Sequence, residues 1–183
     1  MVILETKRLL LRELEPEDRK DLAEILQDPQ VMYAYEHEFT DDDVQAWLDR
    51  QLERYRRDGF GLWAAVHRDT GEMVGQAGLT LQPYRDSQVL EVGYLLKRRH
   101  WHQGYAAEAA EGCKRYAFEK LGQRAVCSVI KADNTASIRV AERIGMEKAD
   151  EFITQYFNGD MLHFLYRVER AEEGGGHCQR RNT

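Results

Sequence analysis

His100-Trp101-His102-Gln103-Gly104-Tyr105-Ala106-Ala107-Glu108-Ala109 is the stretch whose reading decides the fold. An apolar run, Val89 to Leu96, enters it through a basic turn, Lys97-Arg98-Arg99. A helix is predicted to leave it, from about Tyr105 to Leu121. The order is strand, basic turn, glycine, small residues, helix. The first N–H groups of a helix lack intrahelical partners, and the macrodipole adds partial positive charge there. Gly104 has no Cβ, and Ala106 and Ala107 carry little side chain, so a bulky anion can approach the backbone. Phosphate and pyrophosphate are held this way. Lys97 to His100 would add long-range attraction for a polyanion. An ordinary loop before an ordinary helix has the same spacing, and spacing alone does not choose. Gly-x-Gly-x-x-Gly and Gly-x-x-x-x-Gly-Lys-Ser/Thr are both absent.

Composition narrows the setting. The chain has 183 residues, 43% apolar and 32% charged, which fits one globular domain with a real core. No apolar run approaches the roughly 20 residues of a membrane span. The N-terminus becomes charged too soon for a signal peptide. Cys113, Cys127 and Cys178 are odd in number and far apart, which suggests reduced thiols in a cytoplasmic protein. A net charge of −6 argues against nucleic acid as a partner. His100 and His102 have no evident third ligand, so no metal is expected. The last residues, 171–183, contain Gly174-Gly175-Gly176 and few apolar side chains. They are expected to be a disordered tail, which leaves residues 1–170 as the domain.

Thr6 to Leu14 reads as the first strand, with Leu9 and Leu11 on one face. Pro16 opens a helix whose inner face is Leu22, Ile25 and Leu26. Tyr33, Tyr35, Glu36 and His37 fall in an aromatic-rich segment before the next helix. That helix starts at Thr40-Asp41-Asp42-Asp43, buries Val44, Trp47 and Leu48, and ends near Gly59. Leu62 to His67 and Glu72 to Leu81 form a hairpin, with Gly75 and Gly78 interrupting the second strand. A loop at 82–86, containing Pro83, leads to the fourth strand, Val89 to Leu96. Gly93 within it suggests a bulge or a close backbone approach. Ala125 to Ile130 is the fifth strand. Asn134 caps a short helix that ends at Gly145. Phe152 to Tyr156 and Met161 to Val168, joined at Asn158-Gly159, close the fold as a hairpin.

Three signatures in this order resemble one family. Trp101-x-x-Gly104-x-Ala106-Ala107-Glu108-Ala109 resembles the acetyl-CoA pyrophosphate loop of the GNAT N-acetyltransferases, usually written Gln/Arg-x-x-Gly-x-Gly/Ala. Trp101 stands where Gln or Arg is usual, a departure typical of the branch that resembles the RimJ/RimL ribosomal-protein acetyltransferases. Thr6-x-Arg8-Leu9-x-Leu11-Arg12 resembles the opening of that branch. Asn134-x-x-Ser137, starting a helix that ends in Gly145 and Met146, is similar to the family as well. The resemblance spans roughly residues 5–169. It implies a mixed α/β fold: a mostly antiparallel sheet of six or seven strands flanked by helices, with the fourth and fifth strands splayed apart.

The resemblance also implies a reaction. An amine attacks the thioester of acetyl-CoA directly, and the acceptor is a protein N-terminal α-amine. A small amine such as a polyamine, amino acid or antibiotic is the alternative, and a non-catalytic acyl-CoA-binding module a further one. The amine must shed a proton, and an α-amine, with a pKa near about 8, asks less of a base than lysine. Glu91, in an otherwise apolar strand, is the candidate base, or else it points to solvent or pairs with an arginine. Ser137 is the candidate donor to the leaving thiolate, or a first-turn serine satisfying the helix start. Asn134 bonds the pantetheine arm, caps the helix, or does both. A backbone N–H near Tyr94 or Leu95 would meet the oxyanion. Tyr94, Leu95, Leu96, His102, Gln103, Gly104, Tyr105, Ala106 and Ala107 complete the expected cofactor contacts. Tyr33, Tyr35, Glu36 and His37 either line the acceptor side or cover a sheet edge. Family members are often homodimers, and the closing strands would be the interface.

Overall fold

The computed structural model describes residues 1–156 and 159–171. The expected disordered tail lies outside the described residues apart from Ala171, and Asn158 of the last predicted turn lies outside them too. Among the described residues one sheet of eight strands carries the chain. In chain order these are β1 (Val2–Glu5), β2 (Leu9–Arg12), β3 (Leu62–His67), β4 (Met73–Tyr84), β5 (Ser87–Leu96), β6 (Ala125–Lys131), β7 (Glu147–Tyr156) and β8 (Gly159–Glu169). Their order across the sheet is β1-β2-β3-β4-β5-β6-β8-β7. Every pair is antiparallel except β5 with β6. The mixed, mostly antiparallel architecture is the expected one.

The sheet has one strand more than predicted. β1 is a four-residue edge strand, and Thr6 to Arg8 form the turn into β2 instead of starting it. β4 is also longer than predicted. It runs through Pro83 to Tyr84, so the expected loop shrinks to Arg85 and Asp86 between the paired Tyr84 and Ser87. Pro83 is tolerated because β3 pairs with β4 no further than Gly78, leaving this end of the strand with one neighbour. Gly75 and Gly78 do not interrupt β4. A Cβ at Gly78 would run into the carbonyl of Gly61, and one at Gly75 into the carbonyl of Leu95, so both glycines permit close strand contact. Gly93 marks no bulge, since the β4–β5 register is unbroken across it.

Four α-helices cover the sheet among the described residues: α1 (Arg19–Leu26), α2 (Asp41–Asp58), α3 (Tyr105–Glu119) and α4 (Thr135–Arg143). α3 buries Ala109, Ala110, Cys113 and Ala117 against Leu9, Leu11, Val92 and Leu96 on one face. The small residues let helix and sheet approach closely. On the other face α1 and α2 bury Leu22, Ile25, Val44, Trp47 and Leu48 against Leu62, Ala64 and Met73. The α2 start is a reciprocal capping box between Thr40 and Asp43, and Gly59, at φ 80°, ends the helix. Cys113 and Cys127 are buried free thiols.

One ion pair ties the first helical turn to the sheet. Arg12 donates two hydrogen bonds to Asp18, at 2.7 and 2.8 Å, and Asp18 also accepts the N–H of Glu15 at 2.8 Å. Burial pushes the Asp18 carboxyl up, but these bonds outweigh it and hold the pKa below the usual value. Its contribution is therefore present above the ordinary carboxylate pKa and lost as pH falls through the lowered one. Asp18→Ala is expected to cost about 3 kcal/mol at neutral pH, because it strands Arg12. Urea unfolding at pH 7 checks this, and the difference from the parent should shrink in acid.

Candidate active site

β5 and β6 run parallel and part at once. Their ladder holds only the pair Glu91 and Cys127. In a continuing parallel ladder the N–H of Val129 would next donate to the carbonyl of Val92. Side chains take over both groups instead. The Val129 N–H donates to Glu91 Oε1 at 3.2 Å, and the Ser128 hydroxyl donates to the Val92 carbonyl at 3.0 Å. Glu91 and Ser128 thus hold open the vertex of a wedge. The two expected splayed strands are these.

The wedge exposes one edge of β5. Backbone groups of alternate residues face alternate sides of a strand. The N–H of Lys97 bonds the Val74 carbonyl on β4, and the carbonyl of Leu95 also faces β4. Val92, Tyr94 and Leu96 therefore face the gap. The Tyr94 N–H is directed into the opening, as one of the two expected positions requires. Leu95 turns its N–H away from the gap, against β4. The Leu96 carbonyl faces the gap side but is taken by the Trp101 indole N–H at 3.1 Å. Trp101 thus anchors the loop to the end of β5.

Glu91 is partly buried, and its other oxygen accepts from the Thr80 hydroxyl at 3.2 Å. Burial raises its pKa, and the bonds from Val129 and Thr80 pull the other way without cancelling it. A carboxyl at a strand vertex with a raised pKa is a stronger base than an ordinary carboxylate and can accept a proton from a bound amine.

The loop after β5 meets the expectation for an anion site at its backbone and departs from it in its charges. Gly104 caps α3 at φ 81° and His102 has φ 60°, so two left-handed residues shape the turn. Among the described residues, the backbone N–H groups of 102 to 107 find no protein acceptor, the first return bond being Glu108 N–H to the Gly104 carbonyl. The basic turn does not add free charge. Lys97 is buried, paired with Asp21 and Glu24 of α1. Arg98 meets Asp28 at 3.2 Å, and both Arg99 and His100 meet Glu72. Attraction for an anion at this loop comes from backbone dipoles and not from the turn's side chains.

The cation beside the loop is Arg8, from the β1–β2 turn. Sequence reasoning missed it. Its guanidinium lies 4.3 Å above the Tyr105 ring, donates to the Gln103 carbonyl at 2.9 Å and pairs with Glu108 at 2.6 Å. Glu108 also accepts from the Thr6 hydroxyl at 2.7 Å and from the Arg8 N–H at 2.6 Å. Burial pushes the Glu108 carboxyl up, but these three donors and the Arg8 charge bring it below the usual range. The shared Thr-x-Arg wording and the Glu after Ala-Ala were the available signals. Glu108→Gln is expected to weaken acetyl-CoA binding about tenfold by loosening the loop, since bonds to a charged group carry about 1.5–3 kcal/mol. Titration calorimetry with acetyl-CoA measures this, and acetyl-pantetheine, which lacks the pyrophosphate, should bind as before.

At the far side of the wedge, Asn134 Oδ1 caps α4 by accepting the Ser137 N–H at 3.1 Å. The Ser137 side chain lies within hydrogen-bonding reach of the Tyr94 hydroxyl. The Tyr94 hydroxyl points to the same turn, donating to the Ser137 carbonyl at 3.4 Å. Burial, chiefly, pushes its pKa up to about 12, so it keeps its proton. Tyr33 is near enough for its charge to be felt by Tyr94. The other residues of that segment diverge. Glu36 pairs with Lys131 at 2.6 Å, on the rim of a cleft of about 310 Å³ that Asp133 and Asp160 also line. Tyr35 packs edge-on to Phe39 and Trp47, and His37 meets Phe39 and Asp43. Tyr33 is thus brought near Tyr94 and Glu36 to the end of β6, while Tyr35 and His37 join an aromatic cluster with Phe39 and Trp47.

Residues 8–147 match the family described as "Acetyltransferase (GNAT) domain". The chain is 38% identical over 144 residues to protein YkkB of Bacillus subtilis (strain 168), covering 78% of this chain and 84% of the relative. It is 32% identical over 164 residues to the Aspergillus fumigatus protein named FsC-acetyl coenzyme A-N(2)-transacetylase, covering 84% of this chain and 68% of that one. A solved GNAT-family acetyltransferase from Bacillus anthracis superposes with a TM-score of 0.78 at 24% identity, covering 92% of this chain and 98% of that one, which is a likeness of fold.

Proposed function

Because this chain belongs to the GNAT acetyltransferase family, we propose that it acetylates a primary amine by direct attack, with a protein or peptide N-terminal α-amine as the acceptor, as in the RimJ/RimL branch. The observation that carries the reading is the wedge between β5 and β6, with Glu91 at its vertex and a loop of unpaired N–H groups at its mouth.

The residues present fit acetyl-CoA. Backbone N–H groups of His102, Gln103, Gly104, Tyr105, Ala106 and Ala107 suit a pyrophosphate, steadied by Arg8 and Glu108. The open edge at Tyr94 and the amide of Asn134 suit the peptide-like groups of pantetheine. Acetyl-CoA supplies the activated acyl group. Glu91 takes the proton of the amine, directly or through water. The Tyr94 N–H is the donor for the oxygen on which charge develops. The Tyr94 and Ser137 hydroxyls are the donors for the departing sulfur. Tyr33 and Glu36 stand on the acceptor side. No covalent acetyl-enzyme is required, and burial pushes the Cys113 and Cys127 thiols up, away from nucleophilic use.

A small-molecule amine is the second reading, and the Aspergillus fumigatus relative, named as an acetyl coenzyme A-N(2)-transacetylase of FsC and not of a protein N-terminus, keeps it in view. Thiol release from acetyl-CoA, run against peptides of varied N-terminus, polyamines, amino acids and aminoglycosides, separates the two. Release dependent on a peptide α-amine supports the first and release dependent on a small amine the second. Acetyl-CoA bound tightly with no release from any amine would leave a binding module.

A further inference from the structure

Glu91 shares its face of the sheet with a guanidinium. α2 crosses the start of β3, where the fully buried Gln51 accepts the Leu62 N–H at 3.0 Å. The same Gln51 oxygen accepts from Arg54 Nη1 at 3.3 Å. The stem of Arg54 passes over Gly61, where a Cβ would stand 3.3 Å from the Arg54 Cβ and 2.8 Å from the Tyr55 ring. Glycine leaves that passage open. β3 pairs no further along β4 than Leu62 with Gly78, and the next step of the β4–β5 ribbon on that face is Thr80 opposite Glu91. Arg54 is therefore anchored at the place where β3 stops covering the ribbon that carries the candidate base.

The guanidinium and the carboxylate interact without pairing. Each is among the charges that shift the other, while burial is the larger influence on both. Among the described residues Arg54 forms no ion pair within 4.0 Å. Of its five N–H donors, the bond to Gln51 is the one made. The surroundings are short of acceptors in general. The side-chain amides Gln51 Nε2 and Gln76 Nε2, both buried on this face, have none among the described residues. A partly desolvated guanidinium with unused donors favours a carboxylate, which its fork can grip with two bonds.

We propose that Arg54 binds a carboxylate of the acceptor, so that the protein selects amines whose carrier bears an acidic group a few bonds from the nitrogen. Such a group is the α-carboxylate of a free amino acid or an acidic side chain near a peptide N-terminus. This rests on the reading of the Glu91 wedge as the site of amine acetylation. Binding would place the amine on the Glu91 side. It would also neutralise a positive charge that lowers the Glu91 pKa, making the base stronger when the acceptor is present.

The test is thiol release with acceptors matched in pairs: an amino acid and its amide, and peptides with Asp or Asn at the second position. The parent protein is expected to favour the acidic member of one pair. Arg54→Gln should then raise KM for that member about tenfold or more, as loss of a charged hydrogen bond does. KM for the neutral member and the Kd for acetyl-CoA should stay put, and Arg54→Lys should restore part of the preference. Which pair responds tells a free amino acid from a peptide. Equal use of acidic and neutral acceptors by the parent overturns the inference and leaves acetyl transfer standing. So does an Arg54→Gln effect that falls equally on both members. No release with any amine overturns the proposed function and this inference with it.

Discussion

Glu91→Gln keeps acetyl-CoA affinity within about twofold of the parent and lowers kcat at neutral pH by roughly a hundred- to ten-thousand-fold, the usual range for a lost general base. The substitution separates the two jobs the side chain holds. A glutamine oxygen still accepts the Val129 N–H, and its amide can donate to the Thr80 hydroxyl, so the vertex stays open. What disappears is the site for a proton. Glu91→Ala removes both jobs, and leaving the Val129 N–H without its acceptor costs about 1–3 kcal/mol of stability. A glutamine variant with full kcat would reduce Glu91 to a strut.

The pH dependence is a second readout of the same variant. Burial raises the Glu91 pKa, so the rise of kcat with pH should lie above the ordinary carboxylate range, and the glutamine variant should lack it. Stability follows the same sign. The fold favours the protonated carboxyl, so this stabilising contribution is full below the unfolded pKa and is lost as pH rises through the raised folded one. The glutamine variant has no such loss. Melting temperatures of parent and variant should therefore separate as pH increases.

Gly104→Glu raises the Kd for acetyl-CoA about a hundredfold or more, equivalent to about 2.7 kcal/mol, and removes activity at ordinary substrate concentrations. Two effects add. Gly104 sits at φ 81°, where any residue with a Cβ is strained by about 1–2 kcal/mol. The added carboxylate then occupies the positive end of α3 and repels the pyrophosphate. Gly104→Ala isolates the first effect. Its Cβ would stand 3.4 Å from Arg8 Nη2, the flexible end of a side chain, so space is not the obstacle. Calorimetry on both variants should show a small loss for alanine and a large one for glutamate. Similar losses for the two would mean that backbone shape, and not charge, governs the loop.

The elements that local chemistry dictates were legible. The Thr40–Asp43 box, the Gly59 end of α2, the Asn134 cap and the β3 boundaries all depend on residues a few positions apart. Hydrophobic alternation marked the core faces of β2 and α1. The strand-turn-glycine-helix order located the anion loop. β1 was lost because four edge residues show no alternation long enough to read. The extension of β4 through Pro83 was lost because proline ordinarily ends a strand, and only the stopping point of β3 excuses it here.

The sequence by itself therefore determined the order of elements, the loop that suits a pyrophosphate and the odd carboxylate in an apolar strand. Tertiary structure decided what each charge does. Lys97 looked like part of an anion attractor and is buried against Asp21 and Glu24. Arg8 looked like an ordinary strand residue and is 100 positions from the Glu108 that recruits it to the loop. Glu91 became a vertex because Val129, 38 positions on, needed an acceptor where two strands part. Backbone conformation follows from neighbours in sequence. A charge takes its meaning from neighbours in space, and those are chosen only when the sheet assembles.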